Sequence, residues 1–400
     1  MAGLFLIFMG SYAVLNVYLF AKVYCVYPQL GRLRIALAIF QVVMVAGPVL
    51  GHYLEKWHSL STARAFSSVV YCWAVVIFWF TLLMAAGDIW NAGVRLSGMH
   101  WPAAKAALLP GALALPVIGG IIAVLLCYGL YEAQSIRVTH LDFTTPALAK
   151  GQSIRLVQVT DLHLGEHMNP HRFERIVELI RQQRPDVIIS NGDLVDTSLE
   201  NLRPQAALLA SLEAPLGKFA VLGNHEYYNG LARSLAFHDA CGFKLLRGQS
   251  TMLSPHVRLA GVDDPAGLRT RQECHIDEAA ALAGADEPRD EQGRDVPATH
   301  GRDAHATNTD PHATYTILLK HQPRVNEESK KRFDLQLSGH THGGQVFPFH
   351  LFTRLFYQRY SGLYELGGSR LYVNVGAGTW GPPLRVLAQP EVTVITLSNP

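Results

Sequence analysis

The residues best suited to chemistry in this chain fall into five stretches. The last is Ser338-Gly339-His340-Thr341-His342-Gly343-Gly344-Gln345, just after the apolar run Leu335-Gln336-Leu337. Two histidines two positions apart share a face in a strand. In a glycine-rich loop they can converge on ions, because glycine permits backbone angles that other residues avoid. One His-x-His proves little, but this one is answered by Asp161-Leu162-His163, Gly192-Asp193-Leu194-Val195-Asp196, Gly223-Asn224-His225-Glu226 and the isolated His321.

Pooled, Asp161, His163, Asp193, Asn224, His321, His340 and His342 offer oxygen and imidazole donors and no thiolate. That set suits Mn, Fe, Zn or Ni, not a structural cysteine zinc site. Seven donors are too many for one ion. With one carboxylate shared, they suit two divalent ions that keep positions open for water and substrate. Two such ions, about 3.5–4 Å apart, clamp a phosphoryl group for in-line attack and acidify the attacking water. His225 is left over beside Asn224, placed as general acid for a leaving alkoxide. Glu226 or another nearby carboxylate would orient it. Asp196 either backs a ligand or caps the following helix. Gly343 and Gly344 either admit a phosphate to the backbone or only make the turn. His167, His171 and His350 read as rim histidines, and Trp380 and Arg385 as candidates to grip a substrate.

The elements that must position these residues split the 400 residues into two unlike parts. Overall, 49% of residues are hydrophobic and 16% charged, oily for a soluble protein. The charge is concentrated after residue 134. A net charge of +2 gives no reason to expect nucleic acid or an acidic partner. Cys25, Cys72 and Cys127 lie in apolar stretches and read as small buried hydrophobes. With Cys241 and Cys274 they make five scattered thiols, neither a disulfide framework nor a C-x-x-C metal site.

Four uncharged runs, Ala2–Ala21, Ile35–Leu54, Ala65–Gly87 and Ala106–Tyr131, are each long enough to cross a bilayer. One such run is compatible with a buried core helix; four in a row are not. The first lacks the basic flank of a signal peptide. Tyr24, Tyr27, Trp57, Trp90, Trp101 and Tyr131 sit near the ends, as interfacial anchors do. Pro110, Pro116, Gly119 and Gly120 predict a kinked or closely packed fourth helix. None of the runs contains Asp, Glu, Lys or Arg, so no transport or proton path is indicated. The bundle reads as an anchor, or as a holder for a lipid substrate. Lys22, Arg32, Arg34, Arg95 and Lys105 in loops one and three outnumber Lys56 and Arg64 in loop two, with Arg137 and Lys150 after the last span. That excess places loops one and three in the cytoplasm and the catalytic part on the extracytoplasmic side.

Residues 135–150 read as a linker and first strand. Strands are expected at Ile154–Val159, Asp186–Ser190, Lys218–Leu222, Phe243–Leu246, Val257–Val262, Tyr315–Leu319, Leu335–Leu337, Leu371–Val375 and Val392–Leu397. Helices are expected at Pro170–Arg184, Leu202–Leu212 and Leu231–Ala240. Alternating strands and helices predict an α/β layered domain. Each candidate ligand follows the C-terminal end of a strand, where ligands collect in such sheets. Residues 285–311, with His300 and His305 and next to His312, have little to bury and read as a disordered insertion.

The five stretches, in order D-x-H, G-D-x-x-D, G-N-H-[DE], lone His and G-H-x-H, resemble the calcineurin-like metallophosphoesterase family over residues 151–400. The wording Thr160–Gly165, Gly223–Tyr228, Lys320–Pro323, Ser338–Gln345 and Gly376–Pro383 is similar to its membrane-linked branch. That branch includes YaeI- and YkuE-like phosphodiesterases and the transmembrane protein with metallophosphoesterase domain. The resemblance implies a four-layer α-β-β-α sandwich behind a four-helix transmembrane region of residues 1–134. It implies that Asp161, His163 and His342 hold one metal, that Asn224, His321 and His340 hold the other, that Asp193 bridges, and that His225 is the acid. The expected function is a membrane-anchored dimetal phosphoesterase cleaving a phosphodiester or pyrophosphate, lipid-linked by virtue of the anchor. Two other readings stand beside it. One is a UDP-2,3-diacylglucosamine-type pyrophosphatase of lipid A synthesis, which needs a cytoplasmic site. The other is a non-enzymatic membrane sensor or scaffold. The expected partners are the bilayer and the phosphoester; no protein partner is inferred.

Overall fold

The structure, a computed structural model, describes the chain except residues 1, 58–59, 97–107, 109, 166–167, 198 and 284–313. His167, Trp101, Lys105 and the 285–311 segment with its histidines therefore lie outside the described residues. The chain divides into two compact units, one of Met1–Tyr131 with Gly381–Leu384 and one of Glu132–Trp380 with Arg385–Pro400.

The first unit is helical. α1 (Ala2–Val26), α2 (Arg32–Trp57), α3 (Leu60–Leu96) and α4 (Gly111–Gln134) are all long and apolar enough to cross a membrane. Leu19, Met44 and Ile77 are buried, while many other apolar side chains face outward (Val14, Ile39 and Val42 among them), as in helices solvated by lipid. All four helices overrun the charge-free stretches of the sequence. α1 takes in Lys22 and α3, at 37 residues, takes in Asp88. A helix of that length spans about 55 Å, well beyond a hydrocarbon core of about 30 Å. Lys22 Nζ meets Asp88 at 2.6 Å, and the Tyr18 hydroxyl donates to the same carboxylate at 2.7 Å. Asn16 ties three helices together: Trp73 Nε1 donates to its side-chain oxygen and Gln41 Nε2 to its carbonyl. α2 lies close on α3 because Gly47 and Gly51 leave room; a Cβ there would strike Val70 and Ser67. Gly119 and Gly120 of α4 do not pack in this way, since a Cβ at either meets open space. Cys25 and Cys127 are exposed on their helices rather than buried, and all five cysteines are free.

The second unit is built on two six-stranded mixed sheets. The first runs β1 (Arg137–Thr144), β12 (Glu391–Ser398), β2 (Ser153–Val159), β3 (Val187–Ser190), β4 (Gly217–Ala220), β5 (Lys244–Leu245). β2 to β5 are parallel, while β12 is antiparallel to β2 and parallel to β1. The second runs β10 (Gly362–Glu365), β11 (Arg370–Val373), β9 (Leu335–Ser338), β8 (Tyr315–Leu319), β7 (Val257–Gly261), β6 (Gln249–Ser254), parallel from β11 to β7 with antiparallel edges.

Alternation along each strand sends every second side chain into the space between the sheets. There Leu156, Val187 and Ile189 of one sheet meet Leu259, Ile317 and Leu337 of the other. Helices cover the outer faces. On one side is α5 (Pro170–Gln182), which begins at Asn169, whose side chain accepts from the N–H groups of His171 and Arg172, and which buries Phe173, Ile176, Val177 and Ile180. α6 (Leu199–Ala210) follows on that side of the chain order, then α7 (Asn224–Asn229) and α8 (Leu231–Ala240). The other sheet has α9 (Ala266–Thr270) and α10 (Glu278–Ala283) next to it in sequence, and Ala281 and Leu282 of α10 pack on Leu318, Leu371 and Val373. This is the expected α-β-β-α sandwich. The sequence reading missed β6 and β10, the short helices α7, α9 and α10, and α11 (Phe349–Phe356).

Candidate metal centre

All five motif stretches leave the C-terminal ends of parallel strands: Asp161 and His163 after β2, Asp193 after β3, Asn224 and His225 after β4, His321 after β8, His340 and His342 after β9. The chain turns sharply at each exit. Asp161, His163, Asp193, His340 and His342 all have φ between +48° and +76°, a left-handed conformation costing of order 1–3 kcal/mol each in residues with a Cβ. The loops hold one another in it. Asp161 N donates to Gly192 O, His163 N to Asp193 O, and Gly339 N to His321 O. Gly339 is required by close approach: a Cβ would collide with Thr160 and Asp161, and its absence lets His340 N reach the Asp161 carboxylate at 3.0 Å.

The seven expected ligands converge in two groups, and a third cluster, of His163, Asp193 and His225, overlaps them. Asp161, His163 and His342 form one, with His163 Nε2 and His342 Nε2 3.1 Å apart and Asp161 Oδ1 3.5 Å from the latter. Asp193, His321 and His340 form the other, with His340 Nδ1 3.1 Å from His321 Nε2. Asn224 Oδ1 joins this second group, 3.2 Å from His321 Nε2. Asp193 Oδ2 lies between the groups, 3.2 Å from His321 Nε2 and 3.8 Å from His163 Nε2. All seven candidates therefore meet, most of them buried.

His225 stands at the edge. Its backbone N–H donates to Asp193 Oδ1 at 2.8 Å and its Nδ1 donates to Asp196 Oδ1 at 2.9 Å. Asp196 also accepts from His163 Nδ1 at 3.0 Å, so it turns two imidazoles toward the centre rather than capping a helix. Glu226 has a different role from the expected one. Its carboxylate accepts the N–H groups of Asp193, Leu194 and Gly223 at 2.7–2.9 Å, bracing the Asp193 loop rather than orienting His225. Tyr228 and Trp380, both half-exposed, put rings 5.5 and 5.9 Å from that of His225. His171 is turned to solvent, paired with Glu174.

Arg385, read from the sequence as a candidate to grip a substrate, is instead fully buried and spent on backbone carbonyls. It donates to the carbonyls of Gly378, Val375, Ala388 and His342, and its Nη2 lies 3.2 Å from His342 Nδ1. Arg172 donates to Ala377 O, so two buried guanidiniums fasten the Gly376–Trp380 loop against Asp161. Tyr357 was also missed: its hydroxyl donates to Gln322 and lies 2.8 Å from His340 Nε2.

Electrostatics fit a pair of cations. Burial, then the charge of His321, holds His340 neutral, down to about 3. Burial with His163 and Arg385 does the same for His342, so both keep lone pairs to donate. Burial resists ionisation of Asp193, yet His321 and His225 hold it well below the usual carboxylate range. Burial also opposes charge on His321, but Asp193 and Asp161 raise it well above the ordinary value. Burial raises Asp161 itself. Buried carboxylates that force a proton onto a buried imidazole demand positive charge at this point. Oxygen and nitrogen donors facing one another about 3 Å apart can supply the ligands for it.

The family described as calcineurin-like phosphoesterase matches residues 154–344. An uncharacterized metallophosphoesterase of Aquifex aeolicus is 38% identical over 281 residues, 70% of this chain and 98% of that protein. Another, of Campylobacter jejuni, is 34% identical over 66% of this chain, which spans 63% of that protein. The transmembrane protein with metallophosphoesterase domain of Danio rerio is 29% identical over 378 residues, 90% of this chain and 80% of that protein.

Proposed function

Because the chain belongs to the calcineurin-like phosphoesterase family, we propose that it is a membrane-anchored, dimetal hydrolase of a phosphodiester or pyrophosphate carried by a lipid. The observation that carries this reading is the meeting of seven donors from five strand ends around Asp193, with His225 beside them. In it, residues 1–134 anchor the chain, 135–150 supply a linker and the entry strand β1, and 151–400 hold the site.

Asp161, His163 and His342 would hold one divalent ion (Mn, Fe, Zn or Ni), Asn224, His321 and His340 the other, and Asp193 both. When bound, such ions neutralise phosphoryl oxygens and acidify an attacking water. The protein's own part is positional. Asp196 occupies His225 Nδ1 and so presents Nε2, protonated, to the leaving oxygen. As the water oxygen bonds to phosphorus and the ester bond breaks, that proton passes to the alkoxide. Tyr228 and Trp380 wall the approach to His225.

Four apolar helices support a substrate drawn from the bilayer. The Lys and Arg excess in loops one and three supports an extracytoplasmic site. The test is incubation of the purified full chain and Mn with a membrane lipid extract, read by mass spectrometry. Wild type should consume a phosphodiester- or pyrophosphate-linked lipid, and Asp193→Ala should leave the extract unchanged. Wild-type hydrolysis of a soluble chromogenic diester with every lipid untouched would refute the lipid-linked substrate.

A further inference from the structure

α11 leaves the metal centre as an exposed apolar blade. It begins four residues after Gln345 and ends one residue before Tyr357, the residue at His340, so it is fixed to the centre at both ends. None of its residues is buried. Leu355 and Phe356 are 78% and 74% exposed, and Phe349, Leu351 and Phe352 are about half exposed beside them. Single exposed apolar residues are ordinary in water-soluble domains; five within one two-turn helix mark a surface that something covers.

The charge around it says what. From Leu335 to Tyr364 the chain carries Arg354 and Arg359 and no Asp or Glu. The Arg354 guanidinium is held over the Tyr360 ring at 5.1 Å. Aromatic and leucine side chains with arginines and no acid are what a helix lying in a bilayer surface presents. The apolar groups enter the acyl boundary and the guanidiniums meet anionic headgroups. The same chain carries four helices long and apolar enough to cross a membrane.

We propose that α11 beds into the surface of an anionic lipid bilayer and holds the metal centre at headgroup level. The docking stands on the surface itself; its consequence, delivery of a lipid phosphate to the centre, rests on the hydrolase reading above.

The test places p-benzoylphenylalanine at position 355 of the full chain (Leu355→p-benzoylphenylalanine), or at exposed Met252 on β6 as control, in nanodiscs. After irradiation, position 355 should form lipid adducts in discs containing phosphatidylglycerol, several-fold fewer in phosphatidylcholine alone, and position 252 essentially none. A chain-to-chain adduct, or none at 355, overturns the docking. Equal adducts in both lipids overturn the role of the arginines. Phe352→Glu with Leu355→Glu should abolish lipid turnover while sparing a soluble chromogenic diester. The adducts form whether or not any ester is cleaved, so failure of the hydrolase reading leaves this readout intact.

Discussion

His225 is defined by its neighbours more than by its own chemistry. Burial opposes its charge, but the carboxylates of Asp193 and Asp196 overcome that and push it up to about 9. A group so raised is protonated at neutral pH and loses its proton as pH climbs through that value, so turnover limited by a general acid should fall on the alkaline side. Asp196→Asn removes one of the negative neighbours and should move that limb to lower pH in a pH profile of kcat. His225→Asn should keep the metals and lose roughly 10²–10⁴-fold in turnover on esters with poor leaving groups; loss of metal from this variant would make it a ligand instead. At this scale the sequence was most readable. Asp161, His163, Asp193, Asn224, His321, His340 and His342 announce themselves by type and spacing. Arg385 stood out only as a candidate to grip a substrate and Tyr357 not at all, because a buried guanidinium capping carbonyls and a phenol 15 residues past His342 follow no spacing rule.

At the level of elements, the strands that feed the site were legible because they are covered on both faces. Val187–Ser190 and Tyr315–Leu319 are buried at every position and read as apolar runs. Those missed lie at edges: Gln249–Ser254 is polar and half-solvated, and Gly362–Glu365 is four residues long. The residues before Ser153 gave little sign of an eight-residue strand, since β1 takes its register from Glu391–Ser398, more than 250 residues away. The Gly376–Trp380 loop shows how elements are joined without a regular ladder. Arg385→Met strips its buried carbonyls of charged donors and should destabilise the full chain by about 3 kcal/mol or more, read as a lowered denaturant midpoint in detergent with reduced metal content. An unchanged midpoint would mean that the loop is held by other contacts.

For the whole molecule, four helices long and apolar enough to cross a membrane share one chain with a dimetal-type site, and the proposed lipid-borne substrate would bring the two together. The anchor was legible from charge-free length alone; that its helices run on to include Lys22 and Asp88 was not, because helices outlast the apolar stretch that marks them. A reporter fused after Pro400 should signal from the extracytoplasmic side, and a cytoplasmic signal would reverse the charge-based orientation. The central claim, that seven side chains from both sheets hold two ions with Asp193 shared, is tested most directly by metal stoichiometry. The full chain, stripped by chelator and titrated with Mn, should bind two equivalents and regain hydrolysis of a chromogenic phosphodiester only as the second is taken up, while Asp193→Ala binds neither tightly. One equivalent sufficing for full activity, or undiminished binding by Asp193→Ala, would contradict it.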